Sequence, residues 1–151
     1  MIGYGTDKIN RHITSGSWVE FQDWDITLFS DDGSLDPDSA MRQWDIACIE
    51  ACKKNEWDPC LGPRLKQWMI DAGLENVRHQ IYKLPLGPWP KDKKLKDIGI
   101  WNKLQIQEGM EGFVLAPLTQ ILGWSVEEVQ FLLANVRNEM KDSRIHVYYN
   151  L

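Results

Sequence analysis

The sequence predicts one α/β domain, a three-stranded mixed sheet with about five helices. Three observations carry this expectation. Apolar and polar residues alternate over short runs near 18–26, 77–84 and 144–151, the period of two that a half-buried strand requires. Over the intervening stretches apolar residues recur at intervals of three and four, the period of a helix with one buried face. Ser, Asp, Pro and Gly stand where such helices would start and stop. The chain has 151 residues, 43% of them hydrophobic and 26% charged, which is ordinary globular usage. A chain of that length buries roughly 68–70% of its unfolded surface around one core.

The first strand is read from Gly16-Ser-Trp-Val-Glu-Phe-Gln-Asp-Trp-Asp25. Trp18, Glu20, Gln22 and Trp24 share one face, and Val19, Phe21, Asp23 and Asp25 the other. Turn chemistry follows over Ser30–Pro37, where Asp36 before Pro37 reads as an N-cap with proline at the first helical position. The helix after it has an apolar stripe of Met41, Trp44, Cys48 and Ala51 or Cys52. Pro63 opens a second helix with Leu65, Trp68, Met69 and Ala72 on one face, and Gly73 supplies its left-handed cap. Val77–Leu84 alternates as the second strand and ends at the proline-rich Pro85–Pro90, a loop expected to carry Trp89 outward. From about Asp92 to Leu122 the period is helical, with Leu95, Ile98, Trp101 or Asn102, and Gln105 on one face. Gly109 and Gly112 suggest a kink there, hence two helices. Ser125 with Glu128 forms a capping box for the next helix. Arg144–Leu151 is the last strand. The expected order is strand, two helices, strand, three helices, strand.

Composition narrows the function. A net charge of −5 opposes attraction to phosphate backbones, and the one basic run, Lys91–Lys96, is interrupted by Asp92 and Leu95, so no nucleic acid partner is expected. No apolar run approaches the roughly 18 residues of a membrane span, and the N-terminus has no stretch of signal-peptide length, so no membrane partner and a cytoplasmic location are expected. Cys48, Cys52 and Cys60 lack a paired CxxC arrangement and read as reduced thiols. Cys48 and Cys52 share a helix face but have no nearby His, so packing is preferred to a metal site and no metal is expected. Eight Trp exceed what a small core needs, and fit an aromatic-lined pocket or a subunit interface as well as a core.

GSWVEFQDWD resembles a segment of the LaeA-like group, fungal class I methyltransferases of secondary metabolism, in which a PGGWVEFQD run forms the fifth strand of a seven-stranded sheet. WDPCLGPRLKQWMIDAGLENV, LPLGPWPKDKKLKDIGIWN and SRIHVYYNL continue the resemblance in order, over nearly all of residues 15–151. The chain looks like the C-terminal half of such an enzyme, a half domain at 15–151 behind an N-terminal arm at 1–14. The resemblance implies S-adenosylmethionine bound by a glycine-rich loop after a first strand and by an acidic residue ending the second. Neither is present, because Gly3-Tyr-Gly5 has no strand before it, so no cofactor is expected. Ser15 and Ser17 also replace the proline and first glycine usual before the strand. The resemblance leaves the Trp18–Asp25 strand without a parallel neighbour, an edge to be covered by residues 1–14, another protein or a second copy. Closure by a symmetric homodimer through that edge is expected.

In open α/β sheets ligands collect beyond the C-terminal ends of the strands, which places Gln22, Asp23, Trp24 and Asp25 at a pocket. The resemblance puts the acceptor-substrate pocket between this strand end and the helix carrying Trp101, Asn102 and Gln105. Asp25 or Asp23 would act as general base if surrounding tryptophans raised its pKa, and otherwise caps a turn. Gln22, Asn102 or Asp25 would hydrogen-bond a substrate carbonyl. Trp24, Trp44, Trp89 and Trp101 would form an apolar cage. His12, His79 and His146 have no partner at ligand or triad spacing and read as structural. The expectation is a cofactor-independent cyclase or isomerase, pericyclic and of the Diels–Alder type, acting on a small apolar intermediate of a fungal natural-product pathway rather than an independent methyltransferase. The alternative is a non-catalytic fragment, or half of a split methyltransferase, working through a protein partner.

Overall fold

The computed structural model describes residues 14–151. His12, Gly3-Tyr-Gly5 and all but the last residue of the expected arm lie outside them. Three strands, β1 (Asp25–Phe29), β2 (Lys83–Pro85) and β3 (Tyr148–Asn150), are joined by four α-helices, α1 (Ala40–Lys54), α2 (Gly62–Asp71), α3 (Lys93–Ala116) and α4 (Val126–Glu139), with a π-helical turn at Pro117–Ile121. The α/β class matches the sequence-based expectation, and the details of the sheet do not.

The sheet order is β1-β3-β2, and β3 runs antiparallel to both neighbours. It is antiparallel in every pair rather than mixed, because the C-terminal strand inserts between β1 and β2. The strand expected over 18–26 starts only at Asp25. Trp18 is 88% exposed, and residues 17–24 carry no secondary structure outside the ladder, since three-residue β3 is long enough to pair with Asp25–Phe29 alone. The runs at 77–84 and 144–151 shorten likewise to Lys83–Pro85 and Tyr148–Asn150.

The outer side of β1 is closed within the chain. The Ile26 amide donates to the Pro59 carbonyl (3.3 Å) and the Leu28 amide to Asp45 Oδ1 (2.9 Å). Arg42 Nη1 donates to the Leu28 carbonyl and to Asp45 Oδ2 (2.7 Å). One turn of α1 thus satisfies both backbone groups of Leu28. These contacts cover β1 at Ile26 and Leu28, beyond the Trp18–Asp25 stretch through which pairing with a second copy is expected.

Helix ends follow their local chemistry. Asp36 is spent on its own turn, accepting the Asp38 amide through its carboxylate and the Ser39 amide through its carbonyl, so Ser39 rather than Asp36 caps α1. The next two amides of α1, Ala40 and Met41, donate to the Glu139 carboxylate at 2.8 Å each. This carboxylate at a helix N-terminus ties α1 to the end of α4. The capping box of Ser125 and Glu128 is present, and Gly73 adopts φ +83° after α2.

The break expected at Gly109 and Gly112 is absent. A helical glycine costs only about 1 kcal/mol relative to alanine, and α3 continues to Ala116. The helix widens instead at Pro117, which has no amide hydrogen and clashes with the preceding turn, and the Leu122 amide reaches back to the Pro117 carbonyl. Two helices with a π turn therefore replace the three expected after β2, bringing the α-helices to four instead of five.

Leu28, Met41, Met110, Leu118, Val129, Leu133, Val136 and Val147 are fully buried between the sheet and helices α1, α3 and α4. In α2 no residue is buried. The docking of α3 is set by Gly99, where a Cβ would overlap the Gly87 carbonyl oxygen, and by Asn102 Nδ2, which donates to the Pro85 carbonyl (2.9 Å). These contacts hold the first half of α3 against β2 and the loop after it.

Candidate functional site

A cleft of about 710 Å³ lies where α3 passes Trp24 and Leu84, lined further by Ile98, Trp101, Asn102 and Gln105, with Asp92, Lys93, Lys94 and Asp97 at its polar side. The helical repeat puts residues 98, 101, 102 and 105 on adjoining faces. Only one position of this stripe reaches the interior, Asn102 at 7% exposure, whereas Trp101 is 70% exposed. Trp24 forms the opposite wall, held by stacking on Tyr149 with centroids 5.8 Å apart. Asn102 Nδ2 donates to the Pro85 carbonyl, and its Oδ1 is buried without a partner among the described residues. A buried acceptor in that state costs about 1–3 kcal/mol.

A second cavity of about 300 Å³ shares Trp24 and Gln105 with the cleft and is lined otherwise by groups that include Trp44, Cys48, Phe113 and Tyr149. Burial, with a smaller contribution from Cys52, pushes the Cys48 thiol up to about 12. It stays protonated at neutral pH and acts as an apolar surface rather than a nucleophile. The three cysteines are free thiols, and among the described residues no cluster of three His, Cys, Asp or Glu side chains could hold a metal ion.

Among the sequence-predicted residues, the structure gathers Trp24, Trp101, Asn102 and Gln105 at the cleft, and Trp24, Trp44 and Gln105 at the cavity. The rest stand elsewhere. Asp25 accepts from Cys60 Sγ (2.9 Å) and from the Thr27 amide (3.0 Å), so it closes a local turn and lines neither space. Asp23 accepts the Trp24 amide, and Gln22 is exposed and bonded to Glu20. Trp89 does not project outward: its indole donates to the Val147 carbonyl (3.0 Å) and its ring stacks on His146, which pins the proline-rich loop to the far side of β3. The four tryptophans therefore do not form one cage. His146 is structural, its ring bonded to Asp32 and its amide to Ser34. Sequence reasoning did not select Phe113 or Tyr149, and for Tyr149 no local signal exists, since its role comes from the long-range insertion of β3. Ile98 was legible on the helical stripe.

Among the described residues, the turn after β1 is not a glycine-rich loop of the kind that the resemblance implies after the family's first strand. The turn from β1 into α1 carries Asp31, Asp32, Asp36 and Asp38, and the first free amides of α1 are taken by Glu139.

No family model matches the sequence, and no solved structure matches it. Curated relatives do. The methyltransferase pytC of Aspergillus terreus is 34% identical over 139 residues, 92% of this chain and 43% of the relative. The probable methyltransferase tdiE of Emericella nidulans is 34% identical over 137 residues, 91% of this chain and 43% of the relative. The chain is homologous to fungal methyltransferases and LaeA-like proteins of secondary metabolism. Among the latter, the protein-methionine methyltransferase laeA of Emericella nidulans is 32% identical over 144 residues, 93% of this chain and 38% of the relative. The chain spans less than half the length of these relatives. Its α/β architecture is consistent with half of a methyltransferase-like domain.

Proposed function

We propose that this methyltransferase-related chain corresponds to the C-terminal half of its longer relatives and acts in fungal secondary metabolism as a cofactor-independent cyclase or isomerase. Its substrate is a flexible, largely apolar precursor held in the cleft between Trp24 and Trp101. The reading is carried by the Trp101 ring, which lines the cleft and is 70% exposed. Trp101 fills no core, so stacking on a ligand gives it a role that packing does not.

The chemistry assigned to the site is positioning. Aromatic walls fold the precursor so that its reacting carbons meet, which removes much of the entropic barrier of an intramolecular cycloaddition. The side-chain amide of Gln105, which makes no hydrogen bond among the described residues, donates to a carbonyl and withdraws electron density from the attached double bond. Gln22 and Asp25 have no part in this scheme. Bonds rearrange within one molecule, so substrate and product have equal mass.

The test is incubation of the purified chain with the late linear intermediate of its pathway, followed by chromatography and mass spectrometry. An isobaric product formed faster than in buffer is expected, with kcat/KM falling about tenfold or more in Trp101→Ala. A product heavier by one methylene, formed only with S-adenosylmethionine, would show methyl transfer, and absence of any product would sink the proposal.

A second reading is favoured by the exposed Trp18 and by relatives more than twice as long. In it the chain is half of a split methyltransferase that docks another protein, or a second copy of itself, through residues 17–24. Solution mass distinguishes these forms: a homodimer lost in Trp18→Ser supports docking of a second copy, and a monomer that becomes stable only with a partner supports the split enzyme.

A further inference from the structure

The cavity of about 300 Å³ between α1 and α3 has its own chemistry and does not depend on the cleft. Trp24, Ile26, Phe113, Val114 and Pro117 form much of its wall. Phe113 is 69% exposed, so its ring serves no core. The ring lies instead against Gly109, where a Cβ would come within 2.8 Å of it. A bare glycine thus gives this wall its seat, and a molecule held behind the ring would take apolar carbon out of water.

The ionisable groups on the lining show how this space treats charge. They are Asp45, Cys48, Cys52 and Tyr149. In all four, burial is the largest cause of a pKa raised above the ordinary value. For a carboxyl, a thiol or a phenol, a raised pKa favours the uncharged form. Both oxygens of Asp45 are already bonded, Oδ1 to the Leu28 amide and Oδ2 to Arg42. The Trp44 indole nitrogen is shut off from solvent and offers an occupant nothing. What polarity remains, from Tyr149 and Gln105, is neutral, and no Lys, Arg or His of the described residues lines the space. A charged occupant would therefore lose its hydration with no counter-charge to replace it.

We infer that this cavity is a binding site for an uncharged, hydrocarbon-rich compound of one or two rings, held by the aromatic and aliphatic walls and selected against its ionised analogues. The size follows from the volume, since an apolar cavity of roughly 150 Å³ takes one benzene ring.

The matched probes are toluene, benzoate and benzylammonium, which share one ring and differ in the charge on its substituent. Each is titrated into the full chain and followed by backbone amide NMR shifts. Toluene should bind about tenfold or more tighter than either ion, because an ion without a partner costs more to bury than an unpaired hydroxyl. Its shifts should centre on Cys48, Ile106 and Val114. Cys48→Phe, placed on the lining to fill the space, should abolish them. Phe113→Ala, which removes the exposed wall, should weaken toluene about threefold or more. Trp101→Ala should leave toluene binding unchanged, which separates failure of the cleft reading from failure of this one. No binding of toluene, equal binding of an ion, or shifts that centre on Asp97 and Trp101 and vanish in Trp101→Ala would overturn the assignment. The comparison of the three probes on the unaltered chain stands even if a variant does not fold.

Discussion

Two regions of this molecule carry apolar stripes of similar quality and meet different fates. In the body, Met41 and Trp44 on α1, Val129 and Leu133 on α4 and Met110 and Val114 on α3 converge and are buried. In the flanking region made of residues 14–24, α2 and residues 74–82, the predicted face of Leu65, Trp68, Met69 and Ala72 forms as a helix face and stays half-buried, and Trp18 remains in solvent. An apolar stripe tells a helix which side to bury. It does not say that a counter-face exists in the same chain.

The sharpest way to break this comparison is a matched pair of truncations. Leu133→Ala deletes a fully buried side chain and should cost about 2–5 kcal/mol. Trp68→Ala removes a larger side chain from the uncovered helix and should cost less than about 1 kcal/mol. Chemical denaturation of both variants measures the difference, and equal losses would mean that α2 is covered by something the described residues do not include.

A smaller effect sharpens how the body is aimed. Gly99→Ala would push a methyl group into the Gly87 carbonyl, and overpacking of that kind costs about 1–3 kcal/mol. Gly112→Ala, in the same helix with open space around it, should instead be neutral or slightly stabilising by helix propensity. Thermal melts of the pair would show opposite signs if close approach at Gly99 is what docks α3.

The smallest effect concerns the acidic turn after β1. Lys83, then Tyr148, hold the Asp31 carboxyl below its ordinary range, and Ser34 followed by His146 does the same for Asp32. Both folded values lie below the unfolded ones, so the stability they contribute is complete above the ordinary carboxylate range and fades as pH falls through the folded values, below about pH 4. Asp45 has the opposite sign. Its burial raises the folded pKa, so folding favours its protonated form and acidification through that value relieves a cost. Melting temperature should thus decline below about pH 4 in the unaltered chain, and decline less in Asp32→Asn. An unchanged slope in the variant would remove the turn from the account.

Much of the candidate site was legible because it lies on one helix. Trp101, Asn102 and Gln105 are related by the helical period alone, and a period is visible in any sequence that has it. What proved misleading were readings that needed a partner. Asp25 reads as a catalytic carboxylate until Cys60 and Thr27 arrive beside it, and Trp89 reads as an exposed ring until the Val147 carbonyl accepts its indole hydrogen. Alternation at 18–26 describes a strand, but a ladder requires a neighbour, and β3 reaches only from Asp25 onward.

The amino-acid order by itself determined the helical faces, the cap at Ser125, and the family to which the chain is related, because each depends on residues a few positions apart or on wording read directly. Only the tertiary structure decided that β3 inserts between β1 and β2, that Arg42 and Asp45 close the β1 edge from inside the chain, and that Trp24 stacks on Tyr149 beside two separate spaces. These join residues remote in sequence, where the outcome depends on which burial and hydrogen-bonding demands can be met together, and no local pattern records that competition.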